Sequence, residues 1–286
     1  MIDRLCIIGV GLIGGSLARA LRAAGYCREV VGGGRDPVHL QQAVDLGVID
    51  RFDTDLAAAV AGADMVLVAV PLGATQTVFS QIRDHLEDNA VLTDAGSAKG
   101  SVIEAAQRAF GSVPAWFVPG HPIAGTENSG VAASLPDLYQ NRRVILTPNE
   151  HTAPAAVERV RAMWEAAGAV VTEMDVIHHD AVLAATSHLP HVLAFTLVDS
   201  LARLGDREEL FEYAAGGFRD FTRIASSDPV MWRDICLANG DAIQLLIDRF
   251  IEDLQSLSQS VHDHDGAQLL ELFESAKQVR DAYVGE

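Results

Sequence analysis

Short apolar runs recur through the first half of the chain, and amphipathic segments separate them. The runs cover residues 5–9, 29–33, 64–70, 90–94, 115–118, 144–147 and 169–173. They are nearly continuous in Val, Ile, Leu and Ala, as strands covered on both faces are. Segments such as 14–24 and 102–109 between them keep helical periodicity. This alternation predicts βαβ units winding a mainly parallel sheet with helices on both faces.

The pattern changes after Glu173. Asp175 is placed to N-cap a helix running through 176–187, and no convincing strand follows. Ile243, Leu246, Ile247, Phe250, Leu254, Leu257 and Val261 keep helical spacing. Leu269, Leu272, Phe273, Ala276, Val279 and Tyr283 do the same. Asp228 followed by Pro229 reads as an N-cap and first helical residue. The expected organisation is an α/β domain over 1–174 and an all-helical domain over 175–286.

Composition narrows the class. A chain of 286 residues with 49% hydrophobic and 21% charged residues is an ordinary globular chain of about two domains. Its net charge of −18 disfavours nucleic acid and anionic lipid as partners. No unbroken apolar run reaches the roughly 18 residues of a membrane span, so none is expected. The N-terminus enters an apolar strand directly and does not read as a signal peptide. Cys6, Cys27 and Cys236 are scattered and form no CxxC, which points to a reducing cytoplasm.

Gly9-Val10-Gly11-Leu12-Ile13-Gly14 is a GxGxxG between the first strand and a helix. Gly9 would permit the tight turn, Gly11 the approach of a pyrophosphate, and Gly14 close helix–strand packing. The helix N-terminus would offer unpaired amides to phosphate. The first domain is therefore expected to be Rossmann-like, with Leu12, Ile13, Val70 and Pro71 also counted in the dinucleotide site. An NAD site usually ends its second strand with an acid that accepts from the ribose 2′-hydroxyl. Gly34 stands there, followed by Arg35, a combination that favours the 2′-phosphate of NADP over NAD. Asp36 one position on is the alternative acidic residue, and Arg35 is alternatively a solvated loop residue.

Other polar residues interrupt the apolar pattern. Ser97, in the loop 94–100 after a strand, either caps the next helix or donates to a ligand, and Lys99 beside it is either functional or solvated. His121 lies between Gly120 and Pro122 just beyond a strand, where an imidazole suits proton transfer. Ser187, His188 and His191 sit in a very apolar helical stretch that Pro190 must kink, and together they suggest a polar pocket wall. The HxxH spacing there does not make a metal site, since no further ligands cluster nearby. His178, His179, His262 and His264 read as solvated. Arg219 and Arg223 would share a helical face and present positive charge to an anionic substrate, or Arg219 pairs with Asp220. Trp232 reads as core or dimer-interface packing.

Taken together, GVGLIGGSLA, TDAGSAKG, GHPIAGTENSG, TSHLPH and GGFRDFTRIASSDPVMWRDI resemble the prephenate/arogenate (cyclohexadienyl) dehydrogenase family over nearly the whole chain. The resemblance implies a nucleotide-binding domain, a helical dimerisation domain and a homodimer. It implies oxidative decarboxylation of prephenate or arogenate in tyrosine biosynthesis, with tyrosine as a feedback inhibitor. It further implies that His121 hydrogen-bonds the substrate's ring hydroxyl and that Ser97 orients that hydroxyl and the nicotinamide. Arg223 would bind a substrate carboxylate, His188 and His191 would lie near the substrate side chain, and Glu127 would stand at the pocket mouth. Gly34 departs from the acid of NAD-using members. The competing readings are a β-hydroxyacid dehydrogenase and a non-catalytic NADP-binding sensor. The first needs a catalytic lysine on the helical domain, where only Lys277 is found.

Overall fold

The computed structural model describes residues 1–204 and 207–283. Its first eleven elements are β1 (Ile2–Ile8), α1 (Leu12–Ala23), β2 (Cys27–Gly33), α2 (Pro37–Asp45), β3 (Arg51–Asp53), α3 (Leu56–Val60), β4 (Met65–Val68), α4 (Thr75–Ile82), β5 (Val91–Asp94), α5 (Lys99–Phe110) and β6 (Phe117–Val118). The six strands form one parallel sheet in the order β3-β2-β1-β4-β5-β6. Alternation along β1 shows how a doubly covered sheet builds two cores. Leu5 and Ile7 join a cluster with Leu17 and Leu21 of α1, while Cys6 and Ile8 join Phe79, Ile82 and Val102 on the opposite face.

The last two predicted strands leave this sheet. β7 (Gly120–Pro122), β8 (Arg143–Leu146) and β9 (Val170–Glu173) make a second, three-stranded sheet, with α6 (Pro154–Ala166) between β8 and β9. β7 pairs antiparallel to β8, and β8 parallel to β9. Pro119 is the physical break between the sheets. It has no amide for the first ladder, and its carbonyl accepts from the Thr147 amide at 3.0 Å. β3 and β7 were not legible as apolar runs, being Arg-Phe-Asp and Gly-His-Pro.

After β9 the described residues contain only helices and turns. Asp175 caps α7 (Val176–Leu183) by accepting from the Ile177 and His178 amides. A π-helical turn, Ala184–His188, leads into α8 (Leu189–Ala202), with Pro190 in its first turn. The missing proline amide is absorbed by that wider turn, so the chain bulges without breaking the helix. By length and composition alone, the run Val176–Ala202 is apolar enough to cross a membrane, with mean hydropathy 1.5 over its best window. No unbroken apolar stretch marks it in the sequence, because Asp180, Ser187 and the histidines interrupt the pattern. His179, Asp180 and His188 within it are hydrogen-bonded to other parts of the protein, as described below. Then come α9 (Arg207–Glu212), α10 (Gly216–Thr222), a 3-10 turn Arg223–Ser226 and α11 (Pro229–Ala238), capped by Asp228 on the Met231 amide at 2.8 Å.

The chain divides into two compact units, Met1–Gly240 and Asp241–Glu286. The second is made by α12 (Gly240–His262) and α13 (Gly266–Tyr283). Within it Asp265 caps the start of α13 and the Ser260 hydroxyl donates to Gln268. Leu245, Ile251, Leu254, Val261, Leu270, Leu272, Phe273 and Val279 of these two helices are exposed.

Candidate active site

β1, β4 and β5 are adjacent, so the loops at their carboxyl ends share one edge of the sheet, the edge where open α/β sheets bind ligands. At Gly9, φ is +96° and a Cβ would lie 2.4 Å from the Ala69 carbonyl oxygen, so only glycine fits beside β4. A Cβ at Gly14 would lie 2.5 Å from the Gly9 carbonyl oxygen, whereas at Gly11 it would meet nothing within 4 Å. Two glycines thus close the loop against the protein and the third leaves a cradle above the start of α1. Gly11 is the N-cap of α1 and no side chain caps that helix, so its first amides suit a pyrophosphate. Leu12 and Ile13 are half-buried beside it, as is Val70 after β4; Pro71 is exposed.

At the end of β2, a Cβ on Gly34 would meet only Leu40, at 3.5 Å or more. Arg35 is exposed and has no ion pair among the described residues. The Asp36 carboxylate accepts from the Val38 and His39 amides and caps α2. Its cap bonds explain its place in the sequence without a ribose.

Next along the edge, Lys99 is not solvated. It is fully buried, with Nζ donating to Asp94 Oδ2 at 2.5 Å and to the Gly120 carbonyl at 2.6 Å. Burial pulls its pKa down, against the pull of the Asp94 carboxylate. Asp94 also accepts from the Gly96 and Gly120 amides, at 2.7 and 3.1 Å. This buried pair ties the end of β5 to the strand that carries His121. Ser97 does not cap α5. Ala98 stands at the N-cap, and the Lys99 and Gly100 amides bond instead to the carboxylate of Asp180, each at 2.8 Å. The Ser97 side chain is half-buried and has no hydrogen bond among the described residues.

His121 is 8% exposed on β7. Its Nδ1 lies 2.9 Å from Nε2 of His179, whose Nδ1 lies 2.7 Å from Asp180 Oδ1. Burial, with Lys99, His179 and His188 nearby, holds His121 well below the usual histidine range. The sequence placed His179 in solvent, but it is fully buried, whereas its neighbour His178 is exposed. Helical phase separates them: one points at β7 and the other away. The Asp180 side chain, though burial opposes its charge, is kept below the usual carboxyl range by bonds from His179 and the two α5 amides.

His188 is buried in the π-helical turn. Its Nδ1 lies 3.1 Å from Asn239 Nδ2, and its Nε2 is buried without a hydrogen-bond partner among the described residues. Asn239 can only donate through that nitrogen, so Nδ1 accepts and the proton sits on Nε2. Burial brings His188 down to about 4. His191 donates from Nδ1 to the Ser187 carbonyl at 2.8 Å and stacks on Trp232, with ring centroids 3.8 Å apart. Ser187 itself is half-buried. Arg223, in the 3-10 turn after α10, pairs with Glu127 from the loop after β7. Arg219 lies on α10 itself and is exposed, with no ion pair to Asp220.

A buried imidazole aimed from the ligand edge of a dinucleotide-binding sheet suits proton abstraction coupled to hydride loss. Residues 17–173 match the model described as "Prephenate dehydrogenase, nucleotide-binding domain", and residues 175–275 match "Prephenate dehydrogenase, dimerization domain".

The chain belongs to the prephenate dehydrogenase family.

It is an oxidoreductase of nicotinamide-dependent oxidative decarboxylation in tyrosine biosynthesis. A cyclohexadienyl dehydrogenase of Zymomonas mobilis is 40% identical over 96% of this chain and 94% of its own length. The prephenate dehydrogenase of Aquifex aeolicus, solved with hydroxyphenyl propionate and NAD+, superposes with a TM-score of 0.90 at 38% identity, covering 98% of both chains. An arogenate dehydrogenase of Synechocystis gives 0.80 at 26% identity, covering 98% of this chain and 99% of that one. A Mycobacterium tuberculosis 3-hydroxyisobutyrate dehydrogenase at 17% identity shares the fold alone.

Proposed function

We propose that this enzyme oxidises prephenate, accepts arogenate as well, and prefers NADP+ to NAD+. The observation that carries the reading is His121, a buried imidazole with lowered basicity, locked to the ligand edge through Gly120, Lys99 and Asp94. Gly9, Gly11, Gly14, Leu12, Ile13, Val70 and Pro71 would hold the dinucleotide. Gly34 and Arg35, which has no ion pair among the described residues, support a 2′-phosphate, since position 34 itself carries no acid to repel one. When bound there, the nicotinamide supplies the acceptor for hydride from C4 of the substrate ring. His121 accepts the proton of the C4 hydroxyl through Nε2, and Ser97 orients that hydroxyl. The developing C4 carbonyl, through the ring's double bonds, accepts the electron pair of the C1–carboxylate bond as that bond breaks, so CO2 leaves and the ring becomes aromatic. The protein supplies orientation and placed charge. Arg223 binds a substrate carboxylate, His188 and His191 face the side chain, and Glu127 favours the ammonium of arogenate.

Residues 175–286 are proposed as the substrate and dimerisation domain of a homodimer. The exposed apolar side chains of α12 and α13 support this, because a face of that kind favours burial against a partner. Tyrosine, which shares the ring hydroxyl and the amino-acid side chain with arogenate, is proposed as an inhibitor of the same site. Three free cysteines suit a cytoplasmic setting. The test is a two-by-two assay of prephenate or arogenate with NAD+ or NADP+. Prephenate with NADP+ is expected to give the highest kcat/KM. No turnover in any of the four would overturn the reading.

A further inference from the structure

The bonds around His121 reveal its protonation pattern. Asp180 accepts the Lys99 and Gly100 amides on Oδ1 and Oδ2 and is held ionised, so it offers acceptors only. His179 Nδ1, 2.7 Å from Oδ1, must therefore carry a hydrogen. In neutral His179 the lone pair is then on Nε2, which faces His121 Nδ1 at 2.9 Å. His121 must donate from Nδ1, and its own lone pair falls on Nε2. That nitrogen has no hydrogen-bond partner among the described residues.

We infer that His179 and Asp180 are positioning residues: through a carboxylate–imidazole–imidazole chain they hold His121 in the tautomer whose Nε2 can accept a proton. This rests on the proposal that His121 is the base. When Nε2 takes the substrate's hydroxyl proton, His121 becomes an imidazolium. Its Nδ1–H still points at His179, and His179 still donates to the Asp180 carboxylate. The new charge is stabilised along that line while the C4–H electron pair leaves as hydride, and no proton is required to reach Asp180. The other charged or titratable groups around His121 are Lys99 on α5, with Asp94 beside it, and His188 in the π-helical turn. Lys99 opposes the imidazolium, which makes a compensating line through Asp180 the more useful.

The design has a local cause in the sequence. Asp175 starts α7, and residues four and five positions later reach β7 and the N-terminus of α5 together. One carboxylate therefore caps a helix and orients a histidine at once. For that reason Asp180→Asn confuses two roles, and His179 is the informative position.

The experiment compares His179→Phe, which fills the space without an acceptor, with His179→Gln, which restores one. In His179→Phe, kcat should fall about 10–100-fold, the range for losing a partner that orients a working imidazole. KM and dinucleotide Kd should stay within a few-fold. His179→Gln should recover much of the rate. Wild-type kcat in His179→Phe would overturn the inference. So would equal losses in both variants with weakened dinucleotide binding or folding, because that is a packing role. An independent readout is the 15N spectrum of histidine-labelled wild-type protein, assigned with His121→Asn. A hydrogen on Nδ1 and none on Nε2 is expected, and the reverse tautomer would overturn the inference. Failure of the activity reading leaves this spectroscopic outcome intact, so the two failures are distinguishable.

Discussion

Arg223 and Glu127 form an ion pair with each other, between the turn after α10 and the loop after β7. The arginine side chain is 63% exposed and the carboxylate 31%. In a chain of net charge −18, the cation proposed for the substrate is thus already partnered. A substrate carboxylate reaching Arg223 replaces or shares Glu127.

Two opposite changes follow at this pair. Arg223→Ala should raise the KM for prephenate about 10–100-fold, since a lost charge-assisted bond costs roughly 1.5–3 kcal/mol. Glu127→Gln should lower that KM by a few-fold, because an exposed ion pair contributes only about 0.2–1 kcal/mol. It should also reduce arogenate turnover relative to prephenate. Steady-state kinetics on both substrates check this; unchanged KM values with lowered Tm would make the pair purely structural.

Gly34→Asp should shift preference toward NAD+. A Cβ there meets Leu40 at ordinary van der Waals distance, so the substitution need not disturb packing. The carboxylate would accept from a ribose 2′-hydroxyl and repel a 2′-phosphate. The ratio of kcat/KM for the two dinucleotides is the measurement. A wild-type preference for NAD+ would refute the reading of this loop.

His121, the proposed base, can accept a proton only when neutral. Because burial, then Lys99, His179 and His188, set its pKa well below 6.5, activity should hold from neutral pH down to well below 6.5 and fall beneath that. An acid limb at or above 6.5 would contradict the assignment. His121→Asn should cut kcat about 10²–10⁴-fold, with dinucleotide affinity retained.

Lys99→Met should destabilise the protein strongly. It leaves the Asp94 carboxylate buried without its cation, and breaking a buried pair from one side costs about 3–5 kcal/mol. Denaturant unfolding measures the loss. Asp94→Asn combined with Lys99→Met should recover part of it, since the uncompensated charge is then gone.

The sequence by itself determined the parallel sheet, the dinucleotide loop and the helical second half. Those depend on local period, on apolar runs buried on both faces, and on three glycines whose spacing serves one turn. It also singled out His121, because Gly120 and Pro122 restrict the backbone around it. Only the tertiary structure decided what faces His121. His178 and His179 are neighbours of the same type, and helical phase against β7 sends one to solvent and the other to His121. Lys99 reads as a loop lysine until Asp94 and the Gly120 carbonyl surround it. Asp180 could not be recognised as a cap, since the helix it caps lies about 80 residues earlier in the chain. Charge compensation and hydrogen-bond direction are set by distance in space, and the chain's order holds no record of those distances.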